Sequence, residues 1–236
     1  MKISASFLSS KNKAKDLEKL NLTTIDYIHL DFMDGKFVPQ KSLSVRELKK
    51  IYKYTSKRLD VHLMVKKPAK YIKKFISLNT EFITFHVEVQ EDIHKLINLI
   101  HKYGVKAGLA IKPDTDIELL KEYLDEIDLI LVMSVEPGKG GQEFIKTSTE
   151  KIISIKKMLH ELGKTNILVS VDGGINDETK ELVSHADILV SGSYITKSNN
   201  FQEAIDNLKY DKVAEKMNPL ELKEELESIG KEKEDN

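Results

Sequence analysis

Histidine and aspartate alternate with apolar residues in one short segment of this 236-residue chain. The segment IHLDFMDG, residues 28–35, places His29 and Asp31 two positions apart. In a β-strand, residues two apart point to the same face, so the imidazole and the carboxylate would lie side by side while their neighbours pack. Both groups carry protons and bind metals, and the spacing therefore indicates a metal site or an acid–base site.

Two further strand-like runs offer the same residue types. LDVHLM, residues 59–64, supplies His62, and ILVSVDGG, residues 167–174, supplies Asp172. A single His-x-Asp is more often a hydrogen-bonded core histidine beside a turn, but three such runs together favour a shared site. Because the chain has no Cys, any metal must be held by imidazole and oxygen ligands.

Composition limits the class of protein. With 40% hydrophobic residues, the chain can bury a large core in one domain or two. The formal net charge of -1 gives no field that would gather nucleic acid or a membrane surface. The N-terminal residues lack a signal-peptide core, and no apolar run approaches the ~20 residues of a membrane span. We therefore expect a cytoplasmic protein with a small-molecule partner.

Short apolar runs alternate with longer Lys- and Glu-rich segments, which indicates repeated βα units. The predicted strands are residues 2–6, 27–31, 59–64, 82–86, 105–110, 129–133, 167–172 and 188–190. Eight such units predict a TIM (β/α)8 barrel, with a doubly wound open sheet as the alternative. The barrel is favoured because the polar candidates follow several different strands, whereas an open sheet gathers ligands at one switch point.

Helix starts are predicted by three Ser/Thr-x-x-Glu capping boxes, at Ser44, Thr115 and Thr147. The barrel domain is predicted to span residues 1–210, followed by a helical and charged tail at 211–236. Asn218 and Pro219 would begin the tail helix, whose apolar face suits core or subunit packing. A homo-oligomer is therefore left open.

Glycine-rich loops follow the last three predicted strands, where barrels often bind phosphate. Glycine lets backbone N–H groups approach an anion closely, and only two arginines, Arg46 and Arg58, are present to bind one by side chain. The residues concerned are Gly138, Gly140 and Gly141, then Gly173 and Gly174, then Gly192 and Ser193.

Several motifs together resemble one family, the ribulose-phosphate 3-epimerases of the pentose phosphate pathway. They are IHLDFMDGKFVP (28–39), DVHLMV (60–65), VMSVEPG (132–138), GGQ (140–142), VDGGI (171–175) and SGS (191–193). The resemblance covers about residues 2–208. It implies a TIM-barrel isomerase that epimerises D-ribulose 5-phosphate at C3 to D-xylulose 5-phosphate through an enediolate.

The resemblance also implies roles for individual residues. One divalent ion, Zn, Fe(II), Mn or Co, would be held by His29, Asp31, His62 and Asp172, and the two aspartates would be the acid–base pair. Substrate would be bound by Ser6, His62, Asp172, Lys139 and the glycine-loop residues named above. Met33, Met64 and Met133 would line the site as apolar thioethers.

The chain departs from the family pattern at three places. Ala5 stands where Pro is usual, Lys139 replaces a usual Phe within the phosphate loop, and the tail beyond about residue 211 exceeds the typical length. Lys139 could add attraction for phosphate or simply be a solvated loop lysine. His86 and Glu88 match a common family stretch, but their spacing predicts no role.

Three other functions compete with this interpretation. An epimerase of a six-carbon ketose phosphate, such as allulose 6-phosphate, would use the same chemistry. A Schiff-base aldolase would use Lys112, but it would leave the His and Asp set unexplained. A non-catalytic sugar-phosphate-binding protein would need the glycine loops without two carboxylates and two imidazoles.

Overall fold

Eight parallel strands close into a barrel in the computed structural model, which describes residues 1–209. β1 pairs with both β2 and β8, so the sheet has no open edge and the doubly wound alternative is wrong. The strands are β1 (Lys2–Ser6), β2 (Tyr27–Met33), β3 (Arg58–Met64), β4 (Thr80–His86), β5 (Lys106–Ile111), β6 (Leu129–Met133), β7 (Leu168–Asp172) and β8 (Ile188–Ser191). The predicted tail at residues 211–236 lies outside the described part.

Helices surround the barrel between successive strands. The α-helices are α1 (Lys13–Asn21), α2 (Val45–Ile51), α3 (Ala69–Phe75), α4 (Ile93–His101), α5 (Thr147–Glu161), α6 (Ser193–Thr196) and α7 (Phe201–Lys209). The crossovers from β5 to β6 and from β7 to β8 use 3₁₀ helices, at Ile117–Tyr123 and Lys180–Val183. Within residues 1–209, no helix is long and apolar enough to cross a membrane.

The strands bury both of their faces. In β3, Leu59, Val61 and Leu63 belong to the main hydrophobic core, which also includes residues of the surrounding helices. The alternate residues Asp60 and His62 are also buried. Since side chains alternate along a strand, one face packs under the helices and the other carries polar groups into the barrel interior.

The strand predictions are confirmed, because no predicted strand end differs from the structure by more than two residues. The capping box at Ser44 is also confirmed. Its hydroxyl accepts a hydrogen bond from the backbone N–H of Glu47, and the Glu47 carboxylate accepts one from the backbone N–H of Ser44. This reciprocal pair fixes the start of α2.

The other two capping boxes are wrong. The Thr115 hydroxyl donates to Glu88 instead, and the 3₁₀ helix that follows is capped by the side chain of Asp116. Thr147 is already the first residue of α5, and the N-cap position is Lys146, which provides no side-chain cap. At both places, a tertiary contact or the loop geometry overrides the local signal.

Candidate active site

The four candidate ligands converge at the carboxyl ends of three strands. His29 and Asp31 lie on β2, His62 on β3, and Asp172 at the end of β7. The register of β2 and β3 sets Asp31 beside His62. One ligand atom from each residue lies within 4.8 Å of all the others. Separate strand ends thus build a compact cluster of two imidazoles and two carboxylates.

A buried carboxylate fixes the orientation of His29. Asp60, its neighbour in the register of β2 and β3, lies with Oδ2 2.8 Å from His29 Nδ1 and also accepts a hydrogen bond from Ser4 Oγ at 2.9 Å. An ionised carboxylate can only accept, so His29 carries a proton on Nδ1. His29 Nε2 then lies 3.3 Å from an Asp31 oxygen and 3.6 Å from an Asp172 oxygen.

These nitrogen and oxygen atoms fit a cation. His29 Nε2 is fully buried and has no hydrogen-bond partner of good geometry among residues 1–209. His62 Nδ1 faces the same carboxylates, 3.1 Å from Asp31 Oδ1 and 3.8 Å from Asp172 Oδ2. Imidazole nitrogens and carboxylate oxygens that converge in this way need a proton or a cation between them. The donor set of two imidazoles and two carboxylates therefore suits a divalent ion.

The same contacts shift the pKa values of Asp31 and Asp172 in opposite directions. Burial works to raise the pKa of Asp31, but the imidazoles of His29 and His62 outweigh it and hold that pKa below its ordinary range. Burial and the neighbouring Asp31 carboxylate raise the pKa of Asp172 to about 6. Burial opposes charge on His29, yet Asp60 and Asp31 raise its pKa well above the usual value. Asp31 thus remains ionised, whereas Asp172 takes up a proton readily.

A cavity of about 820 Å³ opens directly above the cluster. Asp31 and Asp172 form part of its wall, and His62 does not line it. Ser6 Oγ, also in the wall, donates to Asp31 Oδ2 at 3.0 Å. The other predicted substrate-binding residues all line the cavity: Gly138, Lys139, Gly140, Gly141, Gly173, Gly174, Gly192 and Ser193.

Two of the three predicted methionines line the cavity, and Lys112 does not. Met64 and Met133 line it, while Met33 packs beside Val38 in a small apolar cluster. Lys112 does not line the cavity, and its ammonium lies 4.5 Å from the centroid of the Phe37 ring. A Schiff-base role for Lys112 has no support from this position.

The glycine loop after β7 requires glycine at Gly174. This residue has φ +67, and a Cβ there would lie 2.6 Å from the backbone nitrogen of Phe144 in the loop after β6. The two loops therefore touch through their backbones. Within the earlier loop, the Gln142 side chain donates to the carbonyls of Glu136 and Lys139 at 2.7 and 2.6 Å. These contacts close the end of the cavity where the glycines gather.

The chain matches a known family over most of its length. Residues 2–196 match the model of the ribulose-phosphate 3 epimerase family. This protein belongs to that family. A ribulose-phosphate 3-epimerase of Bacillus subtilis is 38% identical over 212 residues, covering 89% of this chain and 96% of its own. The ribulose-phosphate 3-epimerase of Methanocaldococcus jannaschii is 36% identical, covering 89% and 90%, and the chloroplastic enzyme of Arabidopsis thaliana is 36% identical, covering 89% and 75%.

Other proteins of known structure share the fold of this chain at low sequence identity. Tryptophan synthase subunit alpha from Campylobacter jejuni superimposes with a TM-score of 0.60 at 18% identity, over 88% of this chain and 93% of its own. Orotidine 5'-monophosphate decarboxylase from Methanocaldococcus jannaschii gives 0.58 at 17% identity, over 89% and 98%. At these identities the likeness concerns the barrel alone.

His86 and Glu88, whose spacing predicted no role, lie behind the His and Asp cluster. His62 Nε2 is 2.9 Å from His86 Nε2, and His86 Nδ1 is 3.0 Å from Glu88 Oε2. Burial lowers the pKa of His86 to about 4, so its ring is neutral near neutral pH. Burial works to raise the pKa of Glu88, but the hydrogen bond with His86 helps to hold it at about 2.

Asp60 is a third residue of this site that was not predicted from the sequence. A signal for it existed, since Asp60 and His62 share one face of β3 by alternation. No comparable signal existed for Glu88, which lies in the loop after β4 and becomes a partner of this site only through the fold.

Proposed function

We propose that this protein interconverts D-ribulose 5-phosphate and D-xylulose 5-phosphate by proton transfer at C3. The observation that carries the proposal is the pair of half-buried carboxylates, Asp31 and Asp172, held beside two buried imidazoles at the mouth of the barrel. Membership of the ribulose-phosphate 3-epimerase family supports the substrate and the reaction.

Epimerisation at C3 needs two proton carriers. The C3 proton lies next to the C2 carbonyl, so its removal gives a planar enediolate, and inversion requires a proton to return to the other face. Asp31 extends from β2 and Asp172 from β7, so the two carboxylates reach the site from separate strands of the barrel. We assign one face of the enediolate to each.

The charges on the two carboxylates suit these roles. Asp31, with its lowered pKa, is ionised and accepts the C3 proton from one epimer. Asp172, whose pKa is about 6 in the chain without a metal ion, delivers a proton to the opposite face. In the reverse reaction the two exchange roles, as microscopic reversibility demands. A pair of groups whose environments separate their pKa values is a common arrangement for acid–base catalysis.

His29, Asp31, His62 and Asp172 would hold one divalent metal ion. Imidazole and carboxylate ligands accept Zn, Fe(II), Mn or Co, and this donor set does not rank them. When bound, the ion would supply positive charge that stabilises negative charge developing on the ketose oxygens. His29 is oriented for this role by Asp60, whose carboxylate holds the ring proton on the opposite nitrogen.

We place the substrate phosphate among the glycine loops at the other end of the cavity. Backbone N–H groups there can approach an anion without side chains in between. The Ser6 hydroxyl, which donates to Asp31, would orient that carboxylate or the sugar. Lys139 is exposed and stays a predicted minor contributor to phosphate binding.

Turnover of purified protein with ribulose 5-phosphate, before and after chelation and with elemental analysis of the metal, tests this proposal. We expect activity that disappears with the metal and returns on adding a divalent ion. Full activity with no metal detected would contradict the metal assignment. A higher kcat/KM with allulose 6-phosphate than with ribulose 5-phosphate would replace the five-carbon substrate by the six-carbon one.

Three expectations from the sequence remain predictions beside this proposal. They are a cytoplasmic location, an oligomeric state left open between a monomer and a homo-oligomer, and the division into a barrel domain at 1–210 and a helical tail at 211–236. Fractionation of cells, light scattering of the purified protein and truncation after residue 210 would test them in turn.

A further inference from the structure

A line of polar contacts runs outward from His62, on the side away from the carboxylates. The Nε2 atoms of His62 and His86 are 2.9 Å apart, and His86 Nδ1 is 3.0 Å from Glu88 Oε2. The other oxygen of Glu88 accepts hydrogen bonds from the Lys112 backbone N–H, at 2.9 Å, and from the Thr115 hydroxyl. Both imidazole rings are completely buried, so water cannot replace these partners.

The chemistry of the contacts sets the position of every proton in the line. Glu88 is a carboxylate and can only accept, so His86 carries a proton on Nδ1. Two ring nitrogens 2.9 Å apart share a single proton. An imidazole whose one proton lies on Nδ1, as the contact of His86 with Glu88 requires, offers only a lone pair at Nε2. His62 must therefore donate from Nε2. A neutral His62 ring then has a lone pair at Nδ1, which lies 3.1 Å from Asp31 Oδ1 and 3.8 Å from Asp172 Oδ2. Only a proton or a cation at Nδ1 makes the 3.1 Å contact favourable.

We propose that His86 and Glu88 are positioning residues that fix the tautomer of His62, so that Nδ1 is available to a metal ion. Glu88 acts through His86, and neither residue lines the cavity. The proposal rests on the proposed function only in taking His62 as a metal ligand. Hydrogen-bonded partners behind a ligating histidine typically change metal affinity or activity by about 10–100-fold when they are removed.

His29 and His62 thus both keep one ring nitrogen free of a proton for the metal site, but their ring protons are held by different partners. His29 donates directly to a carboxylate, Asp60. His62 donates to a second imidazole, which then donates to a carboxylate in the loop after β4. Because Glu88 is also bound to the loop after β5, through Lys112 and Thr115, the tautomer of His62 depends on loops outside the metal cluster.

Glu88→Gln should reverse the direction of the hydrogen bonds from His62 to residue 88, with little change in side-chain shape. The carboxamide oxygen is drawn to the end that faces two donors, Lys112 N–H and Thr115 O–H, so the amide NH₂ faces His86. His86 Nδ1 must then accept, and its proton moves to Nε2, where it opposes the proton of His62. To avoid this conflict, His62 must place its proton on Nδ1 and can no longer ligate.

The test measures Zn²⁺ affinity by competition with a chelator, without substrate. We expect Glu88→Gln to weaken Zn²⁺ binding about 10–100-fold, and Thr115→Val, which removes one donor but keeps the carboxylate, to weaken it less. Glu126→Gln is the matched control. It alters a similar contact, between Glu126 and His94 Nδ1 at 2.6 Å, on the surface away from the cluster. Its Zn²⁺ affinity should stay at the wild-type value.

A second measurement needs no variant. Long-range nitrogen–proton correlation NMR of the Zn²⁺-loaded wild-type protein should show a slowly exchanging proton on His62 Nε2 and one on His86 Nδ1. A proton on His62 Nδ1, a doubly protonated His86, or wild-type Zn²⁺ affinity in a folded Glu88→Gln variant would overturn the proposal. Neither measurement uses turnover, so a wild-type protein inactive on ribulose 5-phosphate would refute the proposed function and leave this one standing.

Discussion

His29 and His62 each turn one ring nitrogen toward the oxygens of Asp31 and Asp172, at 3.1 to 3.8 Å. Each ring has a polar partner at its other nitrogen, Asp60 for His29 and His86 for His62. Four electron-rich atoms that meet in a buried site are stable only around a proton or a metal ion. At the scale of single residues, the outer partners thus determine what the inner atoms can bind.

The two-carboxylate assignment predicts different defects from the loss of each group. Asp31→Asn and Asp172→Asn should each lower kcat by about 10²–10⁴-fold, the usual contribution of a positioned acid or base. In deuterated water, a variant with one working carboxylate should still exchange the C3 proton of one epimer without inverting it. The measurement is turnover together with deuterium content at C3, read by NMR.

A control separates this effect from loss of metal. Metal content of each variant is measured beside turnover, because both aspartates are candidate ligands. Asp177→Asn removes an exposed carboxylate that does not line the cavity and should keep wild-type turnover. Near-normal turnover of either Asp31→Asn or Asp172→Asn would refute the assignment.

A site residue could be predicted from the sequence when the alternation of side chains along one strand pointed to it. His29, Asp31, His62 and Asp172 were found at strand ends, and the structure brings them together. Glu88 could not be found in this way, because its partners come from β4 and from the loop after β5. Contacts across separate elements depend on the fold, whereas spacing reports only on one element at a time.

At the scale of elements, the strands were easier to predict than the helix starts. The strands of this barrel are runs of mostly apolar residues, a strong signal that tolerates errors of a residue or two. Helix starts depend on single side chains, and at Thr115 the hydroxyl that would have capped the helix binds Glu88 instead. The loops that build the site thus follow tertiary contacts more than local sequence.

The contact between the loops after β6 and β7 predicts a distinct effect for Gly174→Ala. Gly174 and Gly163 have nearly the same φ, +67 and +68, but only Gly174 has backbone atoms in the path of a Cβ. Gly163→Ala should cost about 1 kcal/mol of unfolding free energy, from backbone strain alone. Gly174→Ala should cost more and should also raise KM, because the loop that carries Phe144 must move away from the cavity.

Urea unfolding and steady-state kinetics of the two variants measure these effects. Gly163 is a matched control, since it follows the end of α5, does not line the cavity and has no atom within 4 Å of its added Cβ. Equal stability losses in both variants, with KM unchanged in both, would mean that the contact with Phe144 has no role in shaping the cavity.

At the scale of the molecule, the barrel separates chemistry from stability. The His and Asp cluster and the glycine loops lie at the carboxyl ends of the strands, as is usual in this fold. At the opposite end, the first residues of β3 and β5, Arg58 and Lys106, both bind Glu81 on β4. The closed barrel itself was predictable from eight alternating units, whereas this ion network needed the order of neighbouring strands.

The network at Glu81 gives a prediction with a defined pH dependence. Its side chain is 13% exposed, and although burial works to raise the pKa of Glu81, Lys106 and Arg58 hold it below the ordinary value of 4.5. A carboxylate with a lowered pKa in the folded state stabilises the protein above that ordinary value, and its contribution disappears as the pH falls through the folded-state pKa. Glu81→Gln should therefore lower the unfolding free energy by about 1 kcal/mol at neutral pH.

The difference between wild type and Glu81→Gln should narrow in acid, once the wild-type carboxyl is also protonated. Urea unfolding with a chelator present, at neutral pH and at several values below 4.5, measures it without a contribution from bound metal. Glu118→Gln, in an exposed pair with Lys121, is the control and should change stability little at any pH.

Because Glu81 lies at the end of the barrel opposite the carboxylates, kcat of the metal-loaded Glu81→Gln variant should equal that of the wild type. A stability difference that stayed constant into acid would show that packing rather than charge gives Glu81 its effect, and a fall in kcat would show that the two ends of the barrel are coupled.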